Sequence, residues 1–194
     1  MPPASNPLNR LMRWRSGTSS TDKLYGAIVA QARLPVFYRS LGIPDSLQGR
    51  FTLLSLHLFA VLHCLKGDGA PALALAQELM DRFSKDMETV LREIGVSDLR
   101  IPKRVRGLAA SSQALLEGYE SAYADGDAAF AAAIAASVPL DPEHAGLSSE
   151  RLASYLRASV KQLEQQPLAS LQEGTLDFPE VTKERWTERG RQAD

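Results

Sequence analysis

Between Phe51 and Leu65 the chain reads FTLLSLHLFAVLHCL, and only Thr52, Ser55, His57 and His63 interrupt the apolar run. Wound as a helix, this stretch puts Phe51, Leu54, Leu58, Val61, Leu62 and Leu65 on one face. Leu53, Leu56, Phe59, Ala60 and Cys64 cover the other, so no side of it is polar. A helix that is hydrophobic all round has to be buried all round. It is too short for a bilayer, which asks for roughly 20 apolar residues, and so is expected to be a central core helix. Gly49 before it and Gly67 and Gly69 after it are read as its stops.

Helical periodicity continues on either side. Leu24, Tyr25, Ile28, Val29 and Ala32 recur at i, i+3, i+4 spacing, and Ser19 to Asp22 offer N-caps to a helix reaching about Arg33. Pro35 and Pro44 bracket VFYRSLGI, which leaves room for only a short helix carrying Phe37, Tyr38 and Leu41. Asp45 or Ser46 then caps the central helix. From about Ala70 to Ile94 a stripe that includes Leu75, Leu79, Phe83, Met87 and Val90 predicts a long amphipathic helix ended by Gly95. Ser97 or Asp98 opens the next element, which reaches about Tyr123. The alanine-rich AAFAAAIAASV follows the turn Asp125-Gly126-Asp127. After a loop with Pro139, Pro142, His144 and Gly146, a helix is expected to start near Glu150. Regular periodicity ends at Pro167, and no strand-like alternation occurs. The expectation is an all-α fold, one compact domain of about six or seven helices packed around the central one. Residues 1–20 read as a disordered basic arm, 21–180 as the helical domain and 181–194 as a charged tail.

Charge narrows the function classes. With 22 basic and 23 acidic side chains in 194 residues the net charge is -1, so no global field draws the chain to nucleic acid or membrane. A DNA partner is not expected. Cys64 is the one cysteine and sits in the apolar helix, so no intramolecular disulfide is available. The start lacks the apolar core of a secretory signal, although Leu8, Leu11, Met12 and Trp14 among Arg10, Arg13 and Arg15 form a short basic amphipathic element. A transit peptide or membrane contact is the alternative to a basic tail there. The expected location is the cytoplasm, extending to the inner face of the cytoplasmic membrane.

The chemistry-bearing residues do not assemble into a motif. His57 and His63 fall on separated faces of one helix, and His144 has no paired ligand. Packed histidines are therefore expected, with His57 hydrogen-bonded to a neighbouring helix, and no metal or cofactor is expected. Cys64 reads as an inert buried thiol. No Walker loop, dinucleotide-binding glycine pattern, serine elbow or HExxH helix occurs, so an enzyme is not expected. Arg100, Lys103, Arg104 and Arg106 make the densest charge cluster, placed near a helix start where the dipole disfavours cations. Pairing with Asp81, Asp86, Glu88 and Glu93 is expected ahead of contact with a partner or RNA.

LYGAIVAQARLPVFYRSLGIPDSLQGRF, LLSLHLF and MDRFSKDMETVLREIGVSDLRIPKRVRGLA resemble the ubiquinol–cytochrome c chaperone family. That family includes bacterial relatives of the mitochondrial assembly factor for respiratory complex III. The likeness continues through Tyr119–Tyr123 and YLRASVKQLEQ, and spans residues 23–180. Tyr25, Pro35, Phe37, Tyr38, Pro44, Asp45, Phe51, His57, Gly95, Val96, Lys103 and Tyr119 match its pattern. The resemblance implies a helical chaperone whose client is newly made cytochrome b, with transient ribosome or membrane contact. The proline-flanked connector Pro35, Phe37, Tyr38, Leu41 is then the expected client-binding face, rimmed by Lys103, Arg104 and Arg106. The alternative is a small-ligand binder or enzyme with its pocket under Phe37 and Tyr38.

Overall fold

The computed structural model describes residues 19–93, 95, 101–140 and 145–181. The expected basic arm (apart from residues 19 and 20), Ser97, Asp98, Arg100, His144 and all of the charged tail but Val181 lie outside the described residues. Among the described residues every regular element is a helix. The order is α1 (Ser20–Ala32), α2 (Pro35–Ser40), α3 (Leu47–Leu65), α4 (Gly69–Glu93), α5 (Ile101–Ala124), α6 (Asp127–Ser137), α7 (Ala145–Leu163) and α8 (Leu168–Gln172).

The all-round apolar helix is the centre of the fold. α3 packs against α1, α4, α5 and α7, and its residues are buried without a break from Thr52 to Val61. Its polar side chains are satisfied locally. The Thr52 hydroxyl donates to the Gln48 carbonyl at 3.0 Å and Ser55 to Phe51 at 2.9 Å. Leu53, Leu56, Leu58, Ala60 and Val61 are fully enclosed. Phe59 anchors an aromatic cluster with Tyr119, Tyr123 and Phe130 at centroid distances of 5.5 to 5.9 Å.

Local chemistry explains the helix ends. Ser19 and Asp22 form a reciprocal capping box on α1, and the Ser46 hydroxyl caps α3 by accepting from Gly49 N–H at 3.1 Å. Gly49 is therefore inside the first turn of α3 rather than a stop before it. It is buried, and a Cβ there would overlap the Pro44 carbonyl oxygen, so glycine lets the 43–44 segment lie against the helix. Two further expectations change. α7 begins at Ala145, a turn ahead of Glu150, with Ser148 and Ser149 buried inside it. The chain after Pro167 forms α8, whose Leu171 is buried, and returns to α1.

α1 and α4 are stitched by polar contacts. Arg82 pairs with Asp22 at 2.8 Å and stands over the Tyr25 ring, while Tyr25 donates to Asp86 at 2.8 Å. The Ser19 hydrogen bond and the Arg82 guanidinium hold the Asp22 carboxyl below its ordinary range.

Candidate functional site

α1 ends at Ala32, and Arg33 and Leu34 carry the chain directly into Pro35, the first residue of α2. Proline suits that position because its φ is already helical and its missing N–H has no intrahelical acceptor to lose. The six-residue α2 then divides its side chains. Phe37 points inward and is fully buried; Tyr38 lies sideways and half-buried; Pro35 and Arg39 are exposed.

Phe37 sits edge-on to His57 at 5.2 Å and to Tyr155 at 5.3 Å. Beneath it, His57 Nδ1–H donates to the Leu53 carbonyl at 2.7 Å, since a carbonyl can only accept. Nε2 is then the acceptor for the Tyr155 hydroxyl at 3.1 Å, and that hydroxyl accepts from Gln31 at 3.0 Å. His57 thus bonds to a neighbouring helix, as expected. Burial holds its pKa down at about 4, against an ordinary 6.5, and the hydrogen bond to Leu53 only partly opposes this. Phe178 closes the other side of the imidazole at 5.5 Å. The second histidine, His63, faces both Glu120 oxygens at 3.0 and 3.1 Å, where Lys66 joins at 3.0 Å. Burial raises the Cys64 thiol to about 12, in keeping with an inert sulfur.

The expected face is therefore corrected in two places. Phe37 and Leu41 are core residues, with 0% and 1% exposure, and form no part of the surface of this closed fold. The space beneath Phe37 is filled by its ring on His57 and Tyr155, and the open space at the connector lies beside Tyr38 and Pro35 instead. A proline-bounded aromatic segment looks the same in sequence whether its rings face in or out.

What remains outside forms two clefts that share Pro35. One, of about 350 Å³, is lined by Arg33, Pro35, Tyr38, Arg39, Asp45 and Arg50. Tyr38 spans it, its hydroxyl donating to the Ala32 carbonyl at 3.2 Å. Arg50 pairs with Asp45 at 2.6 Å, and that hydrogen bond holds the carboxyl below its ordinary range. The other is a groove between Gln31, Leu34, Val36 and the returning segment Phe178–Val181. The Gln166 side-chain amide pins this segment, donating to the Asp177 carbonyl at 2.7 Å and accepting from the Asp177 N–H at 3.2 Å. Neither Arg33, Arg39 and Arg50 nor Phe178–Val181 was expected from sequence. Two arginines flanking Pro35 and the apolar Leu176, Phe178 and Val181 beyond the periodic region were the available signals.

Lys103 and Arg106 are exposed in the first turns of α5 and line neither cleft. The side chain of Arg104 lies outside the described residues. Among the described residues Asp86 serves Tyr25 and Arg82, Glu88 pairs with Arg92 at 2.7 Å, and Asp81 accepts from Gln77, while Arg100 and the Arg104 side chain, half of the basic cluster expected to pair with the α4 acids, lie outside them.

A protein-family profile described as ubiquinol-cytochrome C chaperone matches residues 39–178, well over half of the chain. This chain belongs to the ubiquinol–cytochrome c chaperone family. The chaperone is also similar to a solved protein, the Cbp3 homolog from Brucella abortus. Identity is 32% and the TM-score 0.76, over 91% of this chain and 98% of that one. No curated protein sequence matches. The matched region runs from Arg39 in α2 to Phe178 and so holds α3, the His57–Tyr155 contact and the ring that covers it. Among the described residues of the chaperone, no helix is long and apolar enough to cross a membrane.

Proposed function

We propose that this chaperone binds newly made cytochrome b and supports its incorporation into ubiquinol–cytochrome c reductase, without catalysing a reaction itself. The observation that carries the reading is the family match running from α2 to the segment that closes the core. The likeness to the Brucella abortus structure across nearly its whole length supports it.

Docking falls to the surface that α2 leaves outside. Leu34 and Pro35 are exposed, and Val36, Phe178 and Val181 continue them as an apolar groove. Such a groove suits a helical segment of an apolar client. Its ledge is anchored from below by Phe37 and from the side by Tyr38, so little ordering entropy is lost on contact. The exposed Lys103 and Arg106, with Arg104 beside them in sequence, act as a separate basic surface that steers encounter rather than as a rim of the same face.

The test is capture of cytochrome b from solubilised membranes by tagged chaperone. Leu34→Asp with Pro35→Ala should keep the wild-type thermal melt while retaining less than about a tenth of the captured cytochrome b, as expected for loss of a central apolar contact. Lys103→Glu with Arg106→Glu should weaken capture mainly at low salt. Wild-type capture by the groove variant would place the client elsewhere.

A further inference from the structure

The cleft on the other side of Pro35 has a chemistry that an apolar client does not use. We propose that it is a seat for the phosphate of an anionic phospholipid, gripped by Arg33, Arg39 and Arg50, with Leu34 and Pro35 set into the lipid surface beside it. Its test needs no client, although Leu34 and Pro35 also border the groove proposed for cytochrome b, so the two readings fail separately.

Three arginines line this cleft from three different elements: the end of α1, the last turn of α2 and the first turns of α3. Cations at the ends of α1 and α2 complement those helix dipoles, which accounts for each singly but not for their meeting in one cleft. Asp45 is the only acid lining it and is taken by Arg50. Among the described residues no carboxylate pairs with Arg33 or Arg39. The Arg50–Asp45 pair is more than half exposed on both sides, so it holds Arg50 in place without saturating it. The cleft thus keeps a surplus of two positive charges in a chain whose net charge is -1.

Arginine is the side chain whose planar fork matches phosphate oxygens in pairs. A soluble phosphate would need only the arginines. A phospholipid needs an apolar surface next to them; Pro35, which lines the cleft, supplies it together with Leu34, 36% exposed and next to Arg33 in the chain, which lines the adjoining groove. That juxtaposition favours the lipid over a free anion and over an acidic protein segment.

The experiment is flotation of the full-length chaperone with vesicles of phosphatidylcholine alone or mixed with phosphatidylglycerol. Wild type should float with the anionic vesicles only. Arg33→Gln with Arg39→Gln should weaken that binding roughly 30-fold, the factor for removing two cations from an anionic surface. Arg33→Lys with Arg39→Lys keeps the charge but not the fork and should recover only part of the binding, and a wild-type melt of this pair shows that the fold tolerates change at both sites. Lys85→Gln with Lys161→Gln, an equal loss of charge from exposed sites elsewhere, should float like wild type. Wild-type flotation by the arginine pair overturns the proposal, and so does equal weakening of both pairs, which would mean diffuse attraction. Displacement by inorganic phosphate at millimolar concentration would make the cleft a soluble-anion site instead. An arginine pair that floats normally but no longer captures cytochrome b would make it a client surface; either result overturns the lipid assignment.

Discussion

His57 Nε2 lies 3.1 Å from the Tyr155 hydroxyl, joining the central helix to α7 through a neutral imidazole sealed between Phe37 and Phe178. The tautomer follows from the other ring nitrogen, which donates to Leu53. Tyr155→Phe removes the donor to a fully buried acceptor and the acceptor of Gln31 together. An unmade buried hydrogen bond costs about 1–3 kcal/mol, so urea unfolding of the variant should shift by that amount with an unchanged slope. A shift below about 0.5 kcal/mol would mean that the pair contributes nothing to stability.

Stability should also depend on pH through His57. Its folded pKa, about 4, lies below the unfolded value of 6.5, so the unfolded chain binds the proton first as pH falls. Stability from the neutral ring is complete above about pH 6.5, declines between 6.5 and 4, and is flat below. The span corresponds to roughly 3 kcal/mol at most. Asp22 and Asp45, held low by their partners, lose stability further down. The histidine part therefore appears as a difference from His57→Gln, whose melting temperature should fall less than wild type between pH 7 and 4.5. Parallel curves for the two proteins would refute it.

The core was legible in sequence because α3 is apolar on every side, and only enclosure by other helices satisfies that pattern. Caps at Ser19 and Ser46, the proline start of α2 and the packed His57 follow from equally local rules. Gly49 misled because glycine serves two needs, ending a helix or letting backbone pass close by, and only the neighbour at Pro44 decides between them. The α2 face misled for a related reason: Phe37 and Tyr38 are adjacent, and a helix turns adjacent residues about 100° apart, so one ring is core and the other cleft wall. The arginine cleft was illegible because Arg50 reaches it from another helix.

Gly174 should be the residue that fixes the returning segment. It stands at φ +79°, and a Cβ would overlap Lys23 and come within 2.9 Å of the Leu24 nitrogen. Gly174→Ala adds a left-handed backbone strain to a backbone clash, and each is of order 1–3 kcal/mol. Relief by detachment of α8 is expected, so amide exchange should quicken in residues 168–181 while α3 stays protected. Uniform exchange across the chain would show that α8 is not a separate unit.

Phe37 and Leu34 separate the two roles of the connector. Phe37 has no exposed surface and touches both His57 and Tyr155, so Phe37→Ala opens a cavity at the core and should cost roughly 3–5 kcal/mol. Leu34 is 36% exposed in the apolar groove, and Leu34→Ser should change stability by no more than about 0.5 kcal/mol. Cytochrome b capture ought to respond in the opposite order once folded protein is counted. Normalised by the folded fraction from the same melts, Phe37→Ala should capture as much as wild type, because the ring supports the ledge without meeting the client. Leu34→Ser should capture less at full folding. If Phe37→Ala loses capture beyond its loss of folded protein, the connector opens to expose that ring when the client binds, and the docking surface is one that the closed fold conceals.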